Sequence, residues 1–300
     1  MNKLIPATWV LVLAATGLRA QQQQQFAYTQ YMNDQIPFNQ AYSMLDKSGS
    51  INAVIRKQYV GVNGSPGTFI FDASFPVESV RGAAGMLVMN DQFGIEHNTQ
   101  ISAFFAKAVQ LGDTQYLSVS LSAGIKNYTA NFSSLDSSDP EFRDDIRQTT
   151  PNLGFGIMLY GGNYYAGISM PQLTITNLGT AGIQNLTNFR NHYYLSGAFI
   201  TNLSDEIKLK PAALMAYVRG TTAVVNLSGT LFLKDVLGLG FNYSTNKLAA
   251  GILSINISTF RLGYSYQFGT EPSNLAGFNS ATHEISLSFR FGQGSEPRLL

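Results

Sequence analysis

Thr259-Phe260-Arg261-Leu262-Gly263-Tyr264-Ser265-Tyr266-Gln267-Phe268-Gly269 sets Phe260, Leu262, Tyr264, Tyr266 and Phe268 against Arg261, Gly263, Ser265 and Gln267 without a fault. A period of two is the mark of a strand with one apolar and one polar face. The stretch His283 to Gly292 repeats it, with Ile285, Leu287, Phe289 and Phe291 on one side and Glu284, Ser286, Ser288 and Arg290 on the other. The two read as an antiparallel hairpin. The same alternation recurs along nearly the whole chain in blocks of roughly ten residues, which leaves too little sequence for a second layer or a long helix. The economical solution is an all-β fold, a closed antiparallel transmembrane β-barrel, apolar outside and polar inside.

Composition agrees with this reading. Only 12% of the 300 residues are charged and another 12% are aromatic, which suits half-apolar strands better than a soluble enzyme or a helical membrane protein. A net charge of +1 argues against a dedicated nucleic-acid binder, whose surface must attract phosphate. The chain has no cysteine, which excludes disulfides, thiol nucleophiles, iron-sulfur clusters and cysteine-zinc sites. Met1 to Ala20 reads as a secretory leader: Lys3, an apolar run from Leu4 to Leu18, then Ala20 before the cut. No later stretch approaches the ~18 apolar residues of a spanning helix. In a membrane the mature chain must therefore be a barrel, since only helices and closed barrels satisfy their backbone groups in lipid.

After the leader, Gln21 to Ser50 is polar, dotted with Phe26, Tyr28, Tyr31, Phe38 and Tyr42, and without periodicity. It reads as an extension that packs against something, in the lumen or in the periplasm. The barrel proper spans Ile51 to Gly292, with about fourteen strand candidates, and Gln293 to Leu300 is a tail that insertion is expected not to need. Connections after even-numbered strands are all short: Glu78 to Gly82, Leu111 to Thr114, Gly161 to Asn163, Asn202 to Glu206, Lys234 to Asp235, and Ser258 alone. The long ones, Thr129 to Pro151, Thr174 to Asn191 and Gly269 to Thr282, follow odd-numbered strands. Bacterial barrels keep short turns in the periplasm, so this asymmetry places both termini there, in the outer membrane of a bacterium.

The first hairpin invites a register. A turn from Gly61 to Gly67 centred near Gly64 sets Arg56 opposite Asp72, on a polar face with Asn52, Gln58 and Ser74, and predicts a lumen-facing ion pair. Arg261 and Arg290 face inward beside them and make that wall basic; Lys208 and Lys210 add inward charge elsewhere. His97, His192 and His283 fall near the outer rim as scattered residues without metal-ligand spacing. The acidic run Asp136, Asp139, Glu141, Asp144 and Asp145 lacks the glycine and ligand spacing of a calcium loop and reads as a solvated outer loop. Gly154-Phe155-Gly156 and Gly238-Leu239-Gly240 precede no helix, so they make room or curvature within strands and not a phosphate cradle. No catalytic, cofactor or metal site is assigned.

Several motifs in order resemble the PorP/SprF family of type IX secretion membrane proteins. They are Gln30-Tyr31-Met32, Asn39-Gln40-Ala41-Tyr42, Arg56-Lys57-Gln58-Tyr59, Gly64-Ser65-Pro66-Gly67-Thr68, Asn90-Asp91 with Gly94, Gly263-Tyr264-Ser265-Tyr266 and His283-Glu284-Ile285. The chain departs from the family at Gln40, where proline is usual, at Ser43-Met44, and at Tyr59, where tryptophan is usual. The resemblance implies a non-enzymatic outer-membrane barrel of Bacteroidota, with a signal peptide, that serves protein secretion and gliding motility. Its implied partners are membrane lipid and either a secreted surface protein, held by its carboxy-terminal domain, or components of the secretion machinery. The residues at matching positions are Asn39, Tyr42, Arg56, Gln58, Pro66, Asn90, Asp91, His283 and Glu284; the face assignment adds Asp72, Arg261 and Arg290. A porin-like diffusion channel is the second reading, which the polar alternation permits.

Overall fold

The computed structural model describes residues 28–45, 48–135, 144–174, 191–270, 281–292 and 299–300. Fifteen strand segments form one closed antiparallel sheet: β1 (Gly49–Gln58), β2 (Gly67–Val77), β3 (Gly82–Phe93), β4 (Glu96–Gln110), β5 (Tyr116–Ala130), β6 (Ile146–Tyr160), β7 (Tyr164–Thr174), β8 (His192–Phe199), β9 (Thr201–Asn202), β10 (Ile207–Val218), β11 (Val224–Leu233), β12 (Leu237–Ser244), β13 (Leu248–Ile257), β14 (Phe260–Gly269) and β15 (Thr282–Phe291). β8 and β9 both pair with β10, so they are two pieces of one wall strand interrupted at Ile200. The barrel thus has fourteen wall strands, and it closes where β1 pairs with β15. All fourteen expected strands are present. β6 starts six residues earlier than expected, at Ile146 in place of Asn152, because alternation persists through a stretch read as loop.

The burial pattern is that of a soluble protein turned inside out. Ile55, Leu121, Leu195, Phe241, Ile257 and Leu287 are exposed on the outer face, while Asn52, Ser118, Thr150, Asn152, Lys210 and Glu284 are buried on the inner one. Toward the long-loop end the outer face carries Tyr193, Tyr217, Tyr243, Tyr266 and Phe268; toward the short-turn end it carries Phe75, Phe105 and Phe260. Rings at both borders of an apolar band are what a membrane barrel presents to its two interfaces. β7 is irregular on both sides: the pairing shifts against β6 between Leu153 and Phe155, and against β8 between Ser169 and Gln172. Pro171 lies inside the second shift, and a residue without N–H cannot continue the ladder.

The register of the first hairpin corrects the expected ion pair. Asp72 lies opposite Asn52, and Arg56 lies opposite Thr68. The loop is centred on Val62, two residues earlier than supposed: Gln58 N donates to the Pro66 carbonyl, and Tyr59 turns the chain with φ 46°. A shift of this size leaves both side chains on the inner face and changes only their partners. Asn52 Nδ2 donates to Asp72 Oδ1 at 2.8 Å, and the Arg56 guanidinium lies 3.9 Å from Glu284 on β15.

The lumen is occupied. Residues 28–45 lie inside the barrel as turns followed by a short 3-10 helix at Gln40–Met44, and Tyr31, Met32, Ile36, Phe38 and Ala41 are buried there. Leu299 and Leu300 are buried too, and Tyr42 Oη donates to the Leu300 carbonyl at 2.6 Å. The proposed leader, Gln21 to Gln25, the residues Asp136 to Arg143, most of the Thr174 to Asn191 loop and most of the tail lie outside the described residues.

Candidate functional site

The inner wall holds the lumen segment by side chains aimed at its backbone. Glu284, fully buried, accepts from Thr29 N at 3.0 Å and from Gln30 N at 2.8 Å. Gln30 returns both halves of its amide to β15, donating Nε2 to the Glu284 carbonyl and accepting from Ser286 Oγ. Lys210 Nζ donates to the Met32 carbonyl at 2.5 Å, and Tyr31 Oη donates toward the carbonyls of Ala212 and Asn226. Ser169 Oγ donates to the Phe38 carbonyl, Ser118 Oγ to the Ala41 carbonyl and Tyr160 Oη to the Met44 carbonyl. A segment without regular structure needs such partners, because each buried orphaned backbone group costs about 1–3 kcal/mol.

Two glycines show how closely the segment fits. A Cβ at Gly263 would lie 2.0 Å from Gln30 Oε1, and one at Gly156 would lie 2.2 Å from Asn39 Oδ1. Strand glycines here admit approach by the lumen segment. Asn39 uses the space twice over: its Oδ1 accepts from Ala41 N and caps the helix, while Nδ2 donates to the Ile157 carbonyl at 3.0 Å.

One carboxyl of the segment is buried against another of the wall. Asp34 lies beside Asp72, and its Oδ1 accepts from Ile36 N. Burial holds the Asp34 carboxyl above its ordinary range. An acid with a raised folded-state pKa contributes stability at low pH and loses it as pH rises through the folded value. The docking of the segment is therefore expected to weaken as pH rises above the ordinary carboxylate range. The variant Asp34→Asn keeps the Ile36 acceptor and supplies permanent amide donors toward Asp72. Thermal denaturation followed across pH should slope downward for the wild type and less steeply for this variant.

The residues singled out in the sequence fall into separate groups. Arg56 and Glu284 come together, with Arg56 Nη2 also donating to Gln267 Oε1 at 3.1 Å. Asp72 meets Asp34, and Tyr42 packs edge-on against Tyr165. Arg261 and Arg290 face a small cavity of about 50 Å³ at the short-turn end, shared with Asp34, Tyr42 and Ser288. Arg261 Nε donates to Asn256 Oδ1 at 2.8 Å and Arg290 Nη2 to Ser48 Oγ at 2.6 Å. Asp34 of the lumen segment lines the same cavity as these two arginines of the wall.

The others lie near the long-loop end. Asn90 Nδ2 donates to Thr99 Oγ1, Asp91 Oδ1 accepts from Thr68 Oγ1, and Gln58 is buried beside the Pro66 turn. His283 points to the outer face, where its Nδ1 is 2.9 Å from Tyr264 Oη. Among the described residues no cluster of three or more His, Asp or Glu side chains could hold a metal ion. The residues that sequence reading left out are Gln30, Asp34, Ser118 and Ser169. Only Gln30 carried a signal, as part of a motif.

The model of the type IX secretion system membrane protein family PorP/SprF matches residues 20–289. The chain belongs to this family. No curated protein sequence matches it. Among solved structures this PorP/SprF member is similar to the monoaromatic hydrocarbon channel CymD, with 12% identity, 89% of this chain and 94% of that one covered, and a TM-score of 0.51. It is also similar to the deltaS2 mutant of the monoaromatic hydrocarbon channel TodX, with 9% identity, 86% and 94% covered, and a TM-score of 0.50. The toluene transporter TodX of Pseudomonas putida is 9% identical, with 89% and 94% covered and a TM-score of 0.47. At these identities the likeness to CymD and to the deltaS2 mutant speaks to the fold alone, a β-barrel of the outer-membrane type.

Proposed function

We propose that this PorP/SprF protein is a non-enzymatic outer-membrane component of type IX secretion and gliding, which holds a secreted surface protein or binds the secretion machinery. The occupied lumen carries the reading: Glu284, Lys210 and Ser118 spend their hydrogen-bonding groups on the chain's own segment. A transport path would have to use those same groups. Residues 1–20 act as the leader, the short turns face the periplasm, and the long loops face outward, as bacterial barrels arrange them. Binding then falls to the outer loops or the periplasmic face.

Affinity purification of a tagged copy from detergent-solubilised outer membranes, with mass spectrometry of what accompanies it, tests this. A large secreted protein retained through its carboxy-terminal domain supports surface anchoring, and ring or lipoprotein components support a machinery role. Recovery of the barrel alone would sink both. A diffusion channel, the activity named for CymD and TodX, is favoured by the polar inner wall and requires the lumen segment to leave.

A further inference from the structure

The outer face of the barrel carries few charges. Among the described strand residues only Lys57, Lys107 and Arg147 are charged and fall on the outward side of the alternation, and Lys57 and Arg147 stand at the long-loop end. Lys107, fourth from the end of β4, is alone in the short-turn half of the wall. It interrupts the apolar stripe of Ile101, Ala103, Phe105 and Val109 and pairs across the ladder with Val119. Phe105, Val109 and Val119 are exposed around it. A lysine on the lipid face destabilises a barrel in a depth-dependent way, so its ammonium needs water or an anion there. Other turns at this end neutralise their lysines: Lys208 meets Asp235 at 2.6 Å and Lys234 meets Glu206 at 3.1 Å. Among the described residues no carboxylate stands at ion-pair distance from Lys107.

The ladder brings a second cation to it. Lys107 pairs with Gly82, the first residue of β3, and Arg81 precedes that glycine in the β2–β3 turn with φ 50°. Gly82 sets no side chain between them, and a Cβ there would lie 2.7 Å from Cζ of Phe105, whose ring covers the spot. Paired Cα atoms are ~5 Å apart and consecutive ones ~3.8 Å, so the two basic side chains start within ~9 Å of each other. One phosphate between them is in reach of both. The wall also forms a step here: pairing of β3 with β4 ends at Gly82, while β4 and β5 stay paired as far as Gln110 and Tyr116, ~10 Å farther along the strand. The turn bearing Arg81 is thus a ledge against the flank of β4. It lies just on the turn side of the row Phe75–Ala84–Phe105, and such rings mark the headgroup level of a bilayer.

We propose that this ledge, Arg81 and Lys107 on either side of Gly82, binds the phosphate of an anionic phospholipid in the leaflet that meets the short turns. Charge complementarity selects the occupant. Two cations stand against one acid of the same turn, Glu78, which is exposed and forms an ion pair with neither. The surplus favours a headgroup of net negative charge over one whose own ammonium cancels its phosphate. The acyl chains then lie along the apolar stripe of Phe105, Ala103 and Ile101. That the leaflet is the periplasmic one rests on the orientation proposed above.

Native mass spectrometry of the whole protein, released from detergent after mixing with phosphatidylglycerol, phosphatidylcholine of the same acyl chains, or lipid A, counts the lipids it retains. The wild type is expected to hold its first phosphatidylglycerol about fivefold more tightly than phosphatidylcholine, the worth of one net charge near a membrane surface. The double variant Arg81→Gln, Lys107→Met is expected to lose this preference, with strand content by circular dichroism confirming the barrel. Arg81→Gln alone, a change in an exposed turn, should lose part of it, and Lys234→Met, which removes a paired lysine, should lose none. Equal retention of the two phospholipids by the wild type, or an undiminished preference in the Arg81 and Lys107 variants, overturns the proposal. Tighter retention of lipid A than of phosphatidylglycerol, lost in the same double variant, assigns the phosphate to the opposite leaflet and overturns the phospholipid source together with the orientation.

Discussion

Deleting residues 21–45 is expected to turn a barrel that passes little current in a planar bilayer into an open pore, with conductance higher by about tenfold or more. Eight strands enclose an interior that side chains alone fill, whereas sixteen to eighteen leave an aqueous channel. Fourteen lie between, and here the interior is filled by Tyr31, Met32, Phe38 and their neighbours in addition to the wall's own side chains. Without them the exposed lining is Ser118, Ser169, Lys210, Asn226 and Glu284, which water wets readily. Single-channel recording on both proteins checks this. A deleted protein that stays silent while keeping its strand content would show that the wall collapses or the loops close it, and the channel reading would fail with it.

The second large effect is at Glu284. Replacing it with alanine orphans the N–H groups of Thr29 and Gln30 and removes the buried counter-charge of Arg56. Breaking a buried pair by deleting one partner costs about 3–5 kcal/mol. Glu284→Ala should therefore loosen the lumen segment, seen as faster proteolysis within residues 28–45 and frequent current openings. Glu284→Gln keeps an acceptor for one of the two N–H groups and should fall between. Equal protease resistance in all three proteins would show that the anchor is not at Glu284.

The wall was legible in the sequence because two different solvents flank it. Lipid on one side and a polar lumen on the other impose strict alternation, seen most clearly from Thr259 to Gly269. The same rule could not fix partners across the first hairpin, since a four-residue change in pairing keeps Arg56 and Asp72 on their face and exchanges only their neighbours. The lumen segment had no period to read. Its groups are satisfied one at a time by wall side chains distant in sequence, such as Lys210 for Met32 and Ser169 for Phe38. Its aromatic residues indicated that something would cover them, and nothing in their spacing said what.

The Gln30–Glu284 contact also has a meaning in time. These residues are 254 positions apart, and the wall strand that carries Glu284 is the same β15 whose pairing with β1 shuts the cylinder. Contacts between the earliest and latest parts of a chain form slowly, because the loop between them must be closed first. Synthesis therefore delivers the filling long before the stave that secures it. The strand that closes the seam is thus also the strand that secures the contents.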